Sequence, residues 1–199
     1  MEEASGKIKL AYLVKYYRPM ERLSGILRFV QELIDELDRD YSIRVFTYRY
    51  SPEVAQEDIS GNHRITRLSR PFPLKAGAAI RQWKPDLIVF GSGFWRPYLL
   101  LPYWELFRLG LKKTTVPVIL TQYTTMIRKF EGLLGRLRPR PDRVIVTTRG
   151  LKEQWGKFVP GRVDYIPPGM RIPGPVNYDR SAVKKKKDIR IGYFGHLLP

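Results

Sequence analysis

The sequence of 199 residues contains no cysteine and only two histidines, His63 and His196. The absence of cysteine excludes disulfide bonds, cysteine zinc sites, iron–sulfur clusters and a cysteine nucleophile. Two histidines so far apart do not make a histidine-rich metal site, and we expect neither a metal nor a cofactor. No apolar run approaches the ~18–20 residues that a transmembrane helix needs.

Positive charge dominates the composition. The chain carries 36 Lys and Arg residues against 19 Asp and Glu, a formal net charge of +17. The excess is largest in residues 128–199, which hold 17 basic residues and 6 acidic ones. A field of this sign favours phosphate-bearing partners such as nucleic acids, nucleotide-sugars or anionic lipids. With 43% hydrophobic residues, the chain still has enough apolar side chains for a folded core.

Apolar, strand-like segments alternate with segments of helical periodicity. Strands are predicted at 8–14, 43–48, 65–68, 86–90, 116–121, 143–147 and 163–166, and helices at 24–38, 74–83, 97–113, 125–137 and 151–158. This alternation predicts an α/β fold, a Rossmann-like open parallel sheet with helices on both faces. Ligands of such sheets bind beyond the carboxyl ends of the strands, which points to the loops at 15–24, 91–96, 122–125 and 148–149.

The character of the sequence changes after Gly169. Residues 171–188 are rich in proline and then in lysine, which is typical of a linker. Residues 189–199 begin with the strand-like segment IRIGYF, which cannot bury both of its faces alone. We therefore expect an N-terminal domain at 1–170, a linker at 171–188 and, at 189–199, the first strand of a truncated C-terminal domain.

Two glycine-containing loops stand at predicted strand ends. Ser24 and Gly25 open the first predicted helix, where free backbone N–H groups can bind an anion; an ordinary helix cap explains the pair equally well. Gly91 and Ser92 begin the sequence GSGFWR, in which Arg96 replaces the third glycine of a dinucleotide fingerprint. The second loop therefore predicts a cleft wall rather than a Rossmann cofactor site.

Two segments have competing interpretations. Residues 95–109 are rich in Trp, Tyr and Leu and predict a core helix, or else a surface that faces a membrane or an apolar acceptor tail. Residues 126–140 interleave an apolar stripe with basic residues, which is typical both of a surface helix and of a helix adsorbed on anionic lipid. The membrane-facing residues would be Arg128, Lys129, Arg136, Arg138 and Arg140. His63 lies between polar neighbours, and we expect it in a solvated loop.

The order of five segments resembles the N-terminal domain of GT-B glycosyltransferases, especially the retaining family that includes glycogen synthases and lipid mannosyltransferases. The segments are SGILRFVQEL, VPVILTQY, DRVIVTTRGLKEQW, VDYIPPGM and IRIGYFGHLLP, and they span nearly the whole chain. The resemblance implies metal-free transfer of a sugar from a nucleotide-sugar to an acceptor, in a cleft between this acceptor domain and a C-terminal donor domain. The donor carboxylates would lie beyond Pro199, so the chain alone is expected to be inactive.

By position, the resemblance also implies roles for single residues. Ser24, Gly25 and His196 would border the donor phosphates, and Tyr123 would stand where the family often has a histidine near the transferred sugar. The acceptor side of the cleft would be formed by Gly91, Ser92, Thr124, Thr148 and Arg149. Ser24 and Leu27 replace a usual glycine and glutamate. His196 replaces an arginine, which is the stronger phosphate ligand.

The expected partners follow from the resemblance and the charge. The resemblance implies a nucleotide-sugar donor, held through the missing C-terminal domain, and a sugar or lipid-linked acceptor, with no nucleic acid. The charge adds an anionic membrane surface, so we expect a cytoplasmic protein in peripheral contact with the cytoplasmic face of the membrane. Two alternatives stay open: a basic nucleic-acid-binding module, and a GT-B-like sugar-nucleotide epimerase.

Overall fold

The computed structural model describes residues 6–18, 25–91, 99–112, 114–123 and 131–167. In these ranges the strands are β1 (Lys9–Leu13), β2 (Ser42–Tyr48), β3 (Glu57–Ser60), β4 (His63–Leu68), β5 (Leu87–Gly91), β6 (Val118–Gln122), β7 (Arg143–Val146) and β8 (Val163–Tyr165). The helices are α1 (Gly25–Leu37), α2 (Phe72–Trp83), α3 (Leu100–Leu111), α4 (Glu131–Leu134) and α5 (Arg149–Gly156).

The strands form one sheet in the order β3-β4-β2-β1-β5-β6-β7-β8. Every neighbouring pair is parallel except β3 and β4, which are antiparallel. Strand β1 lies near the centre, with its Leu10 opposite Ile43 of β2 on one side and opposite Leu87 of β5 on the other. The predicted α/β class and Rossmann-like, mostly parallel sheet are therefore confirmed.

The side chains of β1 alternate between two apolar cores. Ala11 and Leu13 belong to a core that includes buried residues of α2, α3 and α5, whereas Leu10 and Tyr12 belong to a core that includes Val30 of α1. Successive side chains of a strand point to opposite faces. Helix α1 therefore covers one face of the sheet, here called the α1 face, and α2, α3 and α5 cover the other, here called the α3 face.

The aromatic-rich segment packs in the core of the α3 face. Leu100, Trp104 and Phe107 of α3 are buried. The ring of Trp104 lies 5.4 Å from the ring of Phe90 in β5, and its indole N–H donates a hydrogen bond to the carbonyl oxygen of Pro139 at 3.0 Å. Of the two interpretations of this segment, the structure supports the core helix for the residues of α3.

Helices α2 and α3 touch backbone to backbone through two glycines. A Cβ atom on Gly77 of α2 would overlap the carbonyl oxygen of Phe107, and one on Gly110 of α3 would overlap the carbonyl oxygen of Leu74. Even a methyl group fits at neither position unless a helix moves. The two glycines therefore set the separation of the helices on the α3 face.

Strand β3 was not predicted from the sequence. Its side chains are exposed or half-buried and largely polar, so it lacks the apolar alternation of a core strand. Gly61, with a φ of +63°, and Asn62 connect it to β4, because Ser60 pairs with His63. A glycine–asparagine pair between two short runs is a hairpin signal. The sequence signal for this hairpin therefore lies in the turn residues and not in the strand itself.

His63 is fully buried, so its predicted position in a solvated loop is wrong. It begins β4, and its side chain shares the α1 face with Ile65, two residues further along. Its Nδ1 lies 3.2 Å from Oδ2 of Asp38, and its Nε2 lies 3.0 Å from the hydroxyl of Tyr17. Because the residues on both sides of His63 are polar, the sequence does not show that the alternation of buried and partly exposed side chains in β4 begins at this residue.

The chain divides into a unit of residues Met1–Gly169 and a second unit of residues Met170–Pro199. The predicted linker at 171–188 and the predicted strand at 189–199 belong to the second unit and lie outside the described residues. In the ranges that the structure covers, no helix is both long and apolar enough to cross a membrane.

Replacing Gly110 with alanine is expected to lower the free energy of unfolding by about 1–3 kcal/mol, because the new methyl group forces α2 and α3 apart. Chemical denaturation followed by circular dichroism measures the change. Gly156→Ala in α5 is the matched control, since a Cβ atom there meets nothing within 4 Å. Alanine at position 156 should leave the free energy of unfolding unchanged or raise it slightly. Equal stability of wild type and Gly110→Ala would contradict the backbone contact.

Candidate functional site

The carboxyl ends of the parallel strands meet at one edge of the sheet, here called the carboxyl edge. Strand β2, which follows β1 in the chain, pairs with β1 on one side. The chain later passes from β4 to β5, and β5 pairs with β1 on its other side, so the direction in which strands are added reverses at β1. Ligands of open α/β sheets bind in the crevice that such a reversal leaves. The segment after β1, the amino end of α1 and the end of β5 all lie at this crevice. The candidate site is therefore built around the ends of β1 and β5.

Gly25 begins α1 at the carboxyl edge and is exposed. A Cβ atom there would meet nothing within 4 Å, so packing does not require a glycine. The first turn of α1 has no acidic residue, and the amino end of a helix carries partial positive charge. This arrangement suits an anion such as a phosphate. Ser24 and His196, the other residues predicted at the donor phosphates, lie outside the described residues.

Tyr123 follows β6, and its hydroxyl is directed into the α1 face. The hydroxyls of Tyr123 and Tyr12 are 2.6 Å apart, and the ring of Phe29 from α1 packs against Tyr123 at 5.7 Å. Burial raises the pKa of both tyrosines, so both phenols are neutral near pH 7. Tyr123 can donate or accept a hydrogen bond but is not a base at this pH. Since Phe29 lies one turn after Gly25, the structure brings Tyr123 and the amino end of α1 into one region.

Gly91 is the last residue of β5, and atoms at the end of β1 pack closely around it. A Cβ atom on Gly91 would stand 3.0 Å from the carbonyl oxygen of Leu13 and 3.1 Å from Cγ1 of Val14. The glycine therefore allows the ends of β1 and β5 to approach each other closely, which is a packing requirement that the sequence motif did not reveal. Ser92 and Thr124, also predicted at the cleft, are not among the residues that the structure describes.

Thr148 and Arg149 mark the start of α5. Thr148 is the N-cap, and its Oγ1 accepts a hydrogen bond from the backbone N–H of Leu151 at 3.2 Å. The hydroxyl of Thr147 donates to the carbonyl oxygen of Tyr123 at 3.2 Å, which ties the end of β7 to the end of β6. Arg149 is exposed. The structure thus brings Tyr123, Thr148 and Arg149 to neighbouring strand ends.

Three of the predicted membrane-facing residues, Arg136, Arg138 and Arg140, lie at the opposite edge of the sheet. Helix α4 ends at Leu134, so the helix predicted to continue to Leu137 is wrong at its end. The glycine and prolines in this segment interrupt the helix, and Arg138 donates hydrogen bonds to the carbonyl oxygens of Gly135 and Leu137 at 2.9 Å each. The connection enters β7 at its amino end with Arg136, Arg138 and Arg140 exposed. Arg128 and Lys129 lie outside the described residues.

A cavity of about 470 Å³ opens at the carboxyl edge on the α3 face, and sequence reasoning missed most of it. Its walls include Lys15, Tyr16, Tyr48, Arg70, Phe72 and Tyr103. The first two belong to the predicted loop at 15–24. Tyr48 ends β2 and Arg70 follows β4, so both could have been found as residues at strand ends of the same edge.

Comparisons with known proteins agree with this fold. The sequence profile of the family described as Glycosyltransferase Family 4 matches residues 23–172. The structure is similar to sucrose-phosphate synthase from Thermosynechococcus elongatus, with a TM-score of 0.58 and 12% identity over 81% of this chain and 48% of that chain. It is also similar to a trehalose-6-phosphate synthase, with a TM-score of 0.54 and 12% identity over 81% of this chain and 50% of that chain. The chain thus spans about half the length of these two proteins. No curated protein matches the sequence.

Stability is expected to fall above about pH 10. The fold raises the pKa of Tyr12 and of Tyr123, whereas the unfolded chain ionises these phenols at their ordinary pKa of about 10. Their contribution is therefore complete below about pH 10 and is lost as the pH rises through the folded-state pKa values. Thermal unfolding of wild type and Tyr12→Phe from about pH 8 to 11 tests this, and the variant should lose stability less steeply. If the melting temperatures of wild type and Tyr12→Phe fall equally steeply with pH, ionisation of the Tyr12–Tyr123 pair does not cause the loss of stability.

Proposed function

The chain belongs to glycosyltransferase family 4, and we propose that it forms the acceptor-side half of an enzyme that transfers a sugar from a nucleotide-sugar to an acceptor. Its fold is that of a GT-B N-terminal domain. The observation that carries the proposal is the amino end of α1, which presents Gly25 at the reversal between β1 and β5 with no acidic side chain in its first turn. In this proposal that helix end contacts the donor phosphates, and transfer takes place in a cleft facing a donor-binding domain.

The proposed roles of the other residues follow from their positions. Tyr123, neutral and hydrogen-bonded to Tyr12, would orient the transferred sugar through its ring and backbone rather than remove a proton. Thr148 and Arg149 would border the acceptor, together with Gly91. The proposal includes no metal and no cofactor, and it includes retention of the anomeric configuration. The donor carboxylates belong to the donor-binding domain, so this half alone would be inactive.

A lipid-linked acceptor and contact with an anionic membrane are part of the proposal. Their support is the net charge of +17 and the exposed Arg136, Arg138 and Arg140. These arginines lie at the amino end of β7, and a strand of this length separates them from the carboxyl edge by roughly 15 Å. A membrane bound there would therefore anchor the enzyme, while the acceptor would still have to reach the opposite edge.

Replacing Gly25 with glutamate is expected to weaken binding of the nucleotide-sugar at least tenfold, about 1.4 kcal/mol, because a carboxylate at the helix end repels the donor phosphates. The side chain has open space, and an acidic residue suits the first turn of a helix, so folding should be retained. Calorimetric titration of the complete protein with UDP-, GDP- and ADP-sugars measures the affinity, and release of nucleotide measures turnover.

Gly156→Glu is the matched control, because it adds a carboxylate in open space at the far end of α5. Equal donor affinity of the two variants would remove Gly25 from the donor site. Absence of binding for every nucleotide-sugar tested would refute the proposed function. Nucleotide release that needs no acceptor, with a changed configuration of the sugar, would favour the epimerase alternative instead.

A further inference from the structure

We infer that Tyr12 of β1 is a positioning residue for the sugar that is transferred, because it holds Tyr123 in place from within the α1 face. The inference rests on the proposed function, in which Tyr123 orients that sugar. Tyr12 is only 1% exposed and belongs to the core of the α1 face, so it touches no substrate itself. Tyr123 is partly exposed and packs on the same core. Any effect of Tyr12 on the sugar therefore passes through Tyr123.

Tyr123 is held at three points. Its hydroxyl is hydrogen-bonded to the hydroxyl of Tyr12, with the two oxygens 2.6 Å apart. Its ring packs edge-on against the ring of Phe29, with the centroids 5.7 Å apart and the ring planes at 69°. Its carbonyl oxygen accepts a hydrogen bond from the hydroxyl of Thr147 at 3.2 Å. Rotation of the Tyr123 side chain about χ1 would break the first two contacts together, so these contacts confine it to one rotamer.

The hydrogen bond between the two tyrosines bridges β5. Tyr12 pairs with Val89 of β5, and β6, which precedes Tyr123, pairs with β5 on its other side. Val89 belongs to the core of the α1 face, so Gly91, two residues further along β5, faces the same way. A Cβ atom on Gly91 would stand 3.8 Å from Oγ1 of Thr121 in β6. A larger side chain there would enter the α1 face beside the end of β6, so the glycine keeps space for the bridge.

The bridge acts through position and not through proton transfer. Burial raises the pKa of both phenols, so both are neutral near pH 7 and neither is a base there. A hydrogen bond between neutral groups still fixes their distance, because breaking it leaves the buried hydroxyl of Tyr12 without that partner. The contribution of Tyr12 is therefore the placement of Tyr123.

The placement of Tyr123 connects two parts of the proposed donor site. Phe29 lies one turn after Gly25 in α1, so Tyr123 is fixed relative to the helix end that contacts the donor phosphates in the proposal. A fixed distance between the phosphates and the ring allows the site to distinguish sugars that differ at one hydroxyl group, because the wrong epimer clashes or loses a contact. A mobile ring would adapt to both epimers. Tyr12 therefore sets how strictly the sugar is selected, and not how tightly the diphosphate is bound.

Calorimetric titration of the complete protein tests the inference. The probes are pairs of nucleotide-sugars that differ at one hydroxyl group, together with UDP, GDP and ADP alone. The pairs are UDP-glucose with UDP-galactose, GDP-mannose with GDP-glucose, and ADP-glucose with ADP-mannose. Wild type is expected to prefer one member of a pair by about tenfold. Tyr12→Phe is expected to reduce this preference to about twofold, while its affinity for the free nucleoside diphosphate changes by less than about twofold.

Further variants connect the effect to the bridge. Tyr123→Phe removes the other hydroxyl of the bridge from a partly exposed position, and it should reduce the preference as far as Tyr12→Phe does. The double variant should be no worse than either single variant, because both break the same hydrogen bond. Tyr41→Phe is the matched control, since Tyr41 packs on the same core just before β2, at the opposite edge of the sheet. It should select the sugar as wild type does, and thermal unfolding checks that each variant is folded during titration.

The outcomes separate this inference from the proposed function. If wild type binds nucleotide-sugars but Tyr12→Phe keeps the full preference, or if wild type binds both members of every pair equally, the inference is wrong and the proposed function stands. An equal loss of affinity for nucleotide-sugars and free diphosphates would indicate general damage to the site and would also overturn the positioning role. If wild type binds no nucleotide-sugar, the proposed function fails, and the role of Tyr12 in it fails as well.

Discussion

The backbone contact between α2 and α3 is the constraint on which the carboxyl edge depends. Gly77 and Gly110 allow the two helices to lie closer than any side chain would permit. At that separation, Trp104 of α3 reaches Phe90 at the centre of the sheet, while Tyr103 and the amino end of α2 line the same cavity. Close-packed interiors transmit such changes. A wider helix pair would therefore alter the cavity as well as the core.

Both faces of the sheet combine apolar packing with hydrogen bonds in their interior. On the α3 face the indole N–H of Trp155 donates to Oε1 of Gln122 at 2.7 Å. On the α1 face the hydroxyls of Tyr12 and Tyr123 are hydrogen-bonded, as are Tyr17 and His63. Buried polar groups that are paired favour one arrangement over others, because any other arrangement leaves them unpaired. Tyr17 anchors the segment after β1 in the α1 face, and Lys15 of the same segment lines the cavity on the other face. This short segment therefore links both faces at the carboxyl edge.

Periodic features were predictable from the sequence, and contacts between distant residues were not. The central strands and α1 are apolar runs with a clear period, which is why their positions were found. His63 was misplaced because its partner Asp38 is 25 residues away and nothing local marks the pair. In the candidate site, the position of Gly25 was predictable because a strand, a loop and a helix follow one another directly in the sequence. The cavity was not predictable, because Lys15 and Arg70 come together only through the parallel alignment of β1, β2 and β4.

Strand β3 has a consequence for how the protein behaves among other chains. An edge strand exposes unpaired N–H and C=O groups, onto which a strand from another molecule can add. Here the edge is short and carries Glu57 and Asp58, and the hydrogen bond from buried Arg67 keeps the pKa of Asp58 below its ordinary value. The carboxylate of Asp58 therefore stays ionised, and paired with Arg67, into the acidic range. A strand from another molecule would have to pack beside these charged side chains, so the short, charged edge disfavours intermolecular β-pairing and the aggregation that follows from it.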